Sequence, residues 1–413
     1  MAADPAEFAE WLASAPASGE WPEARLSLLD TLDCMAAGAR SPLLAKLQAL
    51  EMPLAVRLAV AGHYDDFDDS ELIGSTHPST VLYAALMALA KKSPLTLGQA
   101  LDGYEAGIAA IQFIGGALGY GHYARGFHAS STVGVFGAAA ACARALRLNA
   151  DQTADALSLA ASQSAGLKTQ FGTDAKGLQL GFAAHAGLQA AGLAQCGITT
   201  ATETLPRFIE LYGENISAAP PGKLAIPPGV IFRKLWPCCH YSHRILHLCQ
   251  LLQVPSKDIQ AVRIAMPAPF LDVVARRAPE TAQAAKFSLS WCAAALLTGG
   301  TLDIACFETG CGRPDISRLE ACIELVPEDV PPDIEDLSPD HPDQLSITLA
   351  SGETLTRSAP HVPGSLELPV SADQLIQKYR SNCAVGGAGE DLSPIILHGE
   401  PETDLLQLLP PGI

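Results

Sequence analysis

A run without one charged side chain, Gly177 to Thr202, lies near the middle of the chain and is built largely from alanine, glycine and leucine. Such a segment belongs in an interior. It invites a membrane reading, but Gln179, Gln189, Gln195 and His185 interrupt it, and a bilayer core tolerates such groups poorly. A second uncharged stretch, Ala106 to Ala124, is full of glycine and carries His122. Both read as helices of a large core. Small residues at Gly181, Ala184, Gly187, Ala191 and Gly192 would let neighbouring helix backbones approach closely, and Gly197 supplies a stop. Ser130 to Leu148 is apolar on all sides, which predicts a helix buried on most faces. Asp4-Pro5 opens the first helix as cap and first turn, and Asn149 or Asp151 caps one that breaks at Gly166. The first 230 residues thus predict a tightly packed helical domain.

Composition narrows the function. Hydrophobic residues make up 48% and charged residues 17%, below the usual fraction of about 25%, so little of the chain can be disordered. With Lys+Arg 26 against Asp+Glu 44, the net charge is -18. This argues against nucleic acid as a partner and against a polybasic membrane anchor. The N-terminus shows no basic region followed by an apolar stretch, and the eleven cysteines form no regular framework. Reduced thiols in the cytoplasm are the expectation.

Near residue 255 the texture changes. Asp258 to Met266 alternates as a strand should, and Cys322 to Val326 is a second candidate. Leu345–Leu349 and Thr354–Arg357 flank Ser351-Gly352-Glu353 as a β-hairpin. Residues 319–343 contain nine acids, five prolines and no Lys or Arg, the composition of a solvated loop. Ala372 to Cys383 returns to helical periodicity.

Several clusters could carry chemistry. Five acids fall within seven residues at Asp65, Asp66, Asp68, Asp69 and Glu71, followed by His77-Pro78. Like charges this close repel, which leaves a solvated acidic turn, a cation site, an anchoring network or an acid–base pair as the readings. His128 precedes Ser130-Ser131-Thr132 at a helix start, where free N–H groups suit a carboxylate or a hydroxyl cap suffices. Lys168, Lys176, Arg233 and Lys234 stand out because cations are scarce. An anionic substrate would need them. Cys238, Cys239, His240 and His243 suggest a metal at first sight, yet no second Cys/His pair stands at zinc spacing. G-x-S-x-G, P-loop, Rossmann and iron–sulfur patterns are missing.

Taken in order, Asp66-Phe67-Asp68-Asp69 with His77-Pro78, Gly126-Phe127-His128 to Gly134, and Lys176-Gly177-Leu178 form a series. It continues with Pro237-Cys238-Cys239 and His243-Arg244, then Ala285-Lys286-Phe287-Ser288-Leu289 and Leu296-Leu297-Thr298-Gly299-Gly300. This series resembles the MmgE/PrpD family of 2-methylcitrate dehydratase, cis-aconitate decarboxylase and iminodisuccinate epimerase. The resemblance implies a mainly α fold: a large helical domain from both chain ends and an inserted α+β lid, usually as a homodimer. The boundaries would be 1–234, 235–368 and 369–413. It implies a site between helical domain and lid without metal or organic cofactor, acting on a small di- or tricarboxylate. Carried over, Asp66, His77, His128 and Lys176 would be catalytic, and Ser70, Lys234 and His243 would bind substrate. Dehydration of a 2-methylcitrate-like acid is the first expectation, then epimerisation or isomerisation, then decarboxylation, or an inactive polycarboxylate-binding homologue. Ser70 stands where threonine is commoner and Ala129 where proline is usual. The decarboxylase tyrosine would fall near Ser290 or Trp291.

Overall fold

The computed structural model describes residues 5–213, 223–331, 334–387 and 390–413. The cap expected at Asp4 lies outside these residues; the first helix runs Pro5–Ser14. The fold is mainly helical, with N- and C-terminal helical segments around a smaller mixed α+β region between about residues 230 and 360. Among the described residues no helix is long and apolar enough to cross a membrane.

The centre of the helical part is Pro78–Ala90, every residue of which is buried. Leu54–His63, Leu97–Ala124, Gly134–Ala145 and Asp174–Gln195 pack around it. The uncharged Gly177–Thr202 run falls mostly within the last of these. A Cβ on Gly187 would stand 2.5 Å from the Ala138 side chain and 2.7 Å from the Val135 carbonyl, so these two helices touch along their backbones. Gly192 faces open space and takes no part. The Ser130–Leu148 stretch forms a short helix, Ala129–Thr132, followed by Gly134–Ala145. Asn149, rather than Asp151, caps the next helix in a reciprocal box with Gln152.

The α+β region holds a four-stranded sheet in the order Ile323–Glu328, Ile259–Pro267, Asp343–Leu349, Thr354–Ala359. Its first pair is parallel and the others antiparallel. A parallel pair needs a long crossover, and five helices between Ala268 and Glu320 supply it. The expected hairpin pairs Thr348 with Thr354, and Gly352 at φ +87° makes its turn.

After the sheet the chain returns to the helical part. Ala372–Val385 packs on Pro22–Gly38. The contact is polar as well as apolar: Lys378 Nζ donates to Asp30 at 2.7 Å, and Asn382 donates to Asp33 at 2.7 Å. Burial raises the Asp33 carboxyl to about 7 despite the opposing pull of Lys378. An unfolded Asp releases its proton near 3.9. The native chain therefore binds more protons between these values, and this group's contribution to stability falls as pH rises through that window. Asp33→Asn keeps an acceptor for Asn382 but cannot ionise. Melting curves should show the variant gaining on wild type by on the order of 1–3 kcal/mol between pH 5 and pH 8. A difference that does not change with pH would contradict this.

Candidate active site

The acidic run is not a solvated turn. Asp65, Asp66, Asp68, Asp69 and Glu71 are all buried, on the stretch between the Leu54–His63 and Pro78–Ala90 helices. Ser70–Glu71 pairs antiparallel with Ile231–Phe232, Ser70 opposite Phe232. That pairing brings the next residues, Arg233 and Lys234, alongside the acids. Lys234 Nζ donates to the Asp66 carbonyl at 2.7 Å and to Asp66 Oδ1 at 3.1 Å. Asp66 adopts a left-handed φ of +51°, a conformation that aspartate tolerates better than most residues. From the first turn of Asp174–Gln195, Lys176 Nζ reaches the same Oδ1 at 3.0 Å. The rings of Phe171 and Phe287 stand 4.9 and 4.8 Å from that ammonium. Burial alone would protonate Asp66, but Lys176, Lys234, His77 and His63 outweigh it and hold the carboxyl well below its usual range. Burial would likewise discharge Lys234, yet Asp66 and Asp68 keep its pKa above the ordinary lysine value.

Three imidazoles surround this ion cluster, each with one nitrogen committed. His77 precedes the Pro78 helix; its Nδ1 lies 2.9 Å from the Asp69 carbonyl, which can only accept. The proton is therefore on Nδ1, and Nε2, 3.7 Å from Asp66 Oδ1, carries a free lone pair. His63 Nδ1 faces both Asp68 oxygens at 2.9 Å, and His128 Nδ1 faces Gln179 Oε1 at 2.6 Å. Their Nε2 atoms have no hydrogen-bond partner among the described residues, although His63 Nε2 lies 3.8 Å from Asp66 Oδ1. Burial first, then nearby lysines, holds all three well below the ordinary histidine pKa. They are uncharged at neutral pH.

His77, His128, Lys176 and Ser70 open on a small cavity of about 50 Å3. Ser70 Oγ is buried without a hydrogen-bond partner among the described residues. Asp66 and Lys234 stand behind the wall, joined to the cavity through Lys176 and His77. His243 also lies outside the lining, its Nε2 3.4 Å from the Cys238 carbonyl; His240, on a 3-10 turn just before it, faces the cavity instead. Ser290 donates to Glu320 at 2.8 Å and Trp291 packs on Phe307, neither reaching the cavity. The tyrosines that do line it are Tyr123 and Tyr241.

Sequence reasoning did not single out His63, which ends a helix with nothing unusual around it, or the aromatic pair Phe171 and Phe287. It also read residues 319–343 as solvated. Within that run Asp343 and Glu320 are buried and Asp336 lines the cavity; the expectation failed because Arg244, Arg277 and Ser75 draw this stretch inward through hydrogen bonds.

The fold and this cluster define a two-part protein with a buried ion site facing its α+β region. Residues 55–207 match the MmgE/PrpD N-terminal domain and residues 236–397 the MmgE/PrpD C-terminal domain, and the chain belongs to the MmgE/PrpD family. It is similar to cis-aconitate decarboxylase of Homo sapiens, 29% identical over 351 residues, 79% of this chain and 71% of that protein. Cis-aconitate decarboxylase of Mus musculus is 26% identical over 349 residues, 79% and 70% of the respective chains.

His63, Asp66, Asp68 and His77 place ligand-type atoms within 4.8 Å of one another. The two ammonium groups already on Asp66 make this a poor cation site, because a divalent ion would meet both at short range. Removing a buried partner leaves an uncompensated charge, which costs about 3 kcal/mol or more. Lys234→Met should lose on that order of stability in urea unfolding, whereas a surface lysine would change it by less than about 0.5 kcal/mol.

Proposed function

We propose that this chain is an enzyme that moves a proton at a carbon next to a carboxylate of a small polycarboxylate. The observation that carries this reading is His77: uncharged, with its tautomer set by the Asp69 carbonyl, and with Nε2 free beside Asp66. In the reaction, the C–H bond breaks, Nε2 takes the proton, and the electron pair spreads into the substrate carboxylate as an enolate. Lys176 neutralises the charge that develops there, and Asp66 stabilises the imidazolium 3.7 Å away. Ser70 and His128 hold further oxygens. Asp66 and Lys234 act by positioning Lys176 and His77.

Delivery of a proton to the opposite face of that carbon gives epimerisation, and delivery to another carbon gives isomerisation; this is the outcome we place first. Loss of hydroxide from the same enolate would give the dehydration that the motifs suggested. Decarboxylation is a second reading, favoured by the two relatives named cis-aconitate decarboxylase. There the C–COO bond breaks, carbon dioxide leaves, and a protonated histidine delivers one proton to the carbanion. Against it stand the uncharged histidines of the resting site and a Ser290 remote from the cavity.

Incubation in deuterium oxide with cis-aconitate, a 2-methylcitrate-type hydroxy acid and substituted succinates, followed by NMR, separates the outcomes. Wild type should incorporate deuterium next to a carboxylate. His77→Ala should lose exchange on the order of a hundredfold or more while melting normally. The wild-type rate should hold level from pH 8 down past about 6.5, since the base stays deprotonated below the ordinary histidine value. Full exchange in a well-folded His77→Ala protein would sink the assignment.

A second expectation concerns metals. Turnover should survive dialysis against EDTA, because Asp66 already holds two lysines and the neighbouring donors are engaged with one another or with backbone. Activity lost on chelation and restored by zinc, iron or magnesium would overturn it.

A further inference from the structure

Lys176, His77 and His128 share the cavity lining with two acids, Asp336 and Glu71. Burial lifts Glu71 to about 7, so it is only partly ionised at neutral pH. Glu71 is fully engaged: its oxygens accept from the Ile73 and Gly74 N–H groups at 3.0 and 2.8 Å. Asp336 is not. Its Oδ2 accepts from Ser75 Oγ at 2.8 Å, and the Tyr241 hydroxyl is close enough to favour its charged form. Its Oδ1 is shielded from solvent and no donor among the described residues satisfies it with normal geometry.

An ionised carboxylate is an acceptor only, and a buried acceptor left unmatched is costly. Burial lifts Asp336 to about 6 against the pull of Ser75, Tyr241, Lys168 and Arg244, so it is mostly ionised at neutral pH. A third substrate carboxylate placed there would meet like charge. A hydroxyl or an amino group would complete the acceptor.

We propose that Asp336 is a specificity-determining residue, and that the substrate is a hydroxy- or amino-substituted polycarboxylate whose O–H or N–H donates to Asp336 Oδ1 while a carboxylate sits at Lys176. This rests on the cavity being the substrate site. It separates the base-first outcomes, whose substrates can carry such a donor, from decarboxylation of an acid that has none.

The test uses ligand pairs that differ by one donor: citrate against tricarballylate, and malate or aspartate against succinate, by calorimetry on the full chain. In wild type the donor-bearing member should bind about tenfold tighter or more. In Asp336→Ala the ratio should collapse to within about twofold. Ser75→Ala, which removes the hydrogen bond to Asp336 but leaves the acceptor, should keep the discrimination; if Asp336 merely latched the α+β region down, both variants would behave alike. Equal affinities in wild type, or a ratio that persists in a folded Asp336→Ala protein, overturn the proposal. The underlying site reading fails differently: no member of either pair would bind, or Lys176→Met would leave binding of all of them unchanged.

Discussion

One carboxylate between two buried ammonium groups holds the centre of this protein together. Asp66 and Lys234 could not each stay charged alone in so apolar a setting; a buried acid or amine neutralises itself by shifting its pKa. Together they remain ionised, because each charge offsets the desolvation of the other. The left-handed backbone at Asp66 makes the arrangement possible by presenting both its carbonyl and its carboxylate to Lys234. The histidines follow from it. Burial, and after it the nearby lysine charge, favours neutral imidazoles, so His63, His77 and His128 are uncharged in the resting site.

The same stretch of chain joins the helical part to the α+β region. Asp65 receives Arg40 at 2.7 Å and Lys286 at 3.2 Å, and Arg40 continues to Glu308 at 2.7 Å. Lys286 also donates to the Tyr64 carbonyl. Farther along, Ser75 meets Asp336, and Arg244 ties the neighbouring carbonyls of Leu337 and Ser338 from below. These bonds join segments as much as 268 residues apart, and Ser75 and Asp336, 261 residues apart, both line the cavity. A shift of the α+β region would therefore alter the site's charge balance and its volume at the same time.

Much of the fold was legible because it rests on local rules. Helices apolar on all sides, the Ser351-Gly352-Glu353 turn and the late return of helical periodicity each have a short-range cause. The site was legible where scarcity made it so: in a chain with 26 basic residues against 44 acidic ones, Lys176 and Lys234 draw notice. What stayed hidden depends on tertiary placement. His63 looks like any helix-end histidine until Asp68 folds back on its Nδ1. His240 and His243 differ by three positions, and only the 3-10 turn over 240–242 decides that the first faces the cavity. Asp336 was obscured by its neighbours, since an acidic, proline-rich run has the composition of solvated chain even where one of its carboxylates turns inward.

A protein of net charge -18 that takes up an anion must work against its own field at long range, but that field is screened within about 8 Å at physiological salt. Inside the cavity the near charges decide. Counting formal charges, Arg40, Lys176, Lys234 and Lys286 face Asp65, Asp66, Asp68 and Glu308, so the network balances, and of these four cations Lys176 lines the cavity. One lining ammonium suits a single carboxylate held tightly, not three. With Asp336 on the same lining, the proposed ligand, with a carboxylate at Lys176 and a donor at Asp336, has unlike ends and one favoured orientation. On that reading the carbon beside the bound carboxylate would lie on the side of His77, where Nε2 could reach its proton. The same lysines that, after burial, favour an uncharged His77 would then also turn the substrate towards it.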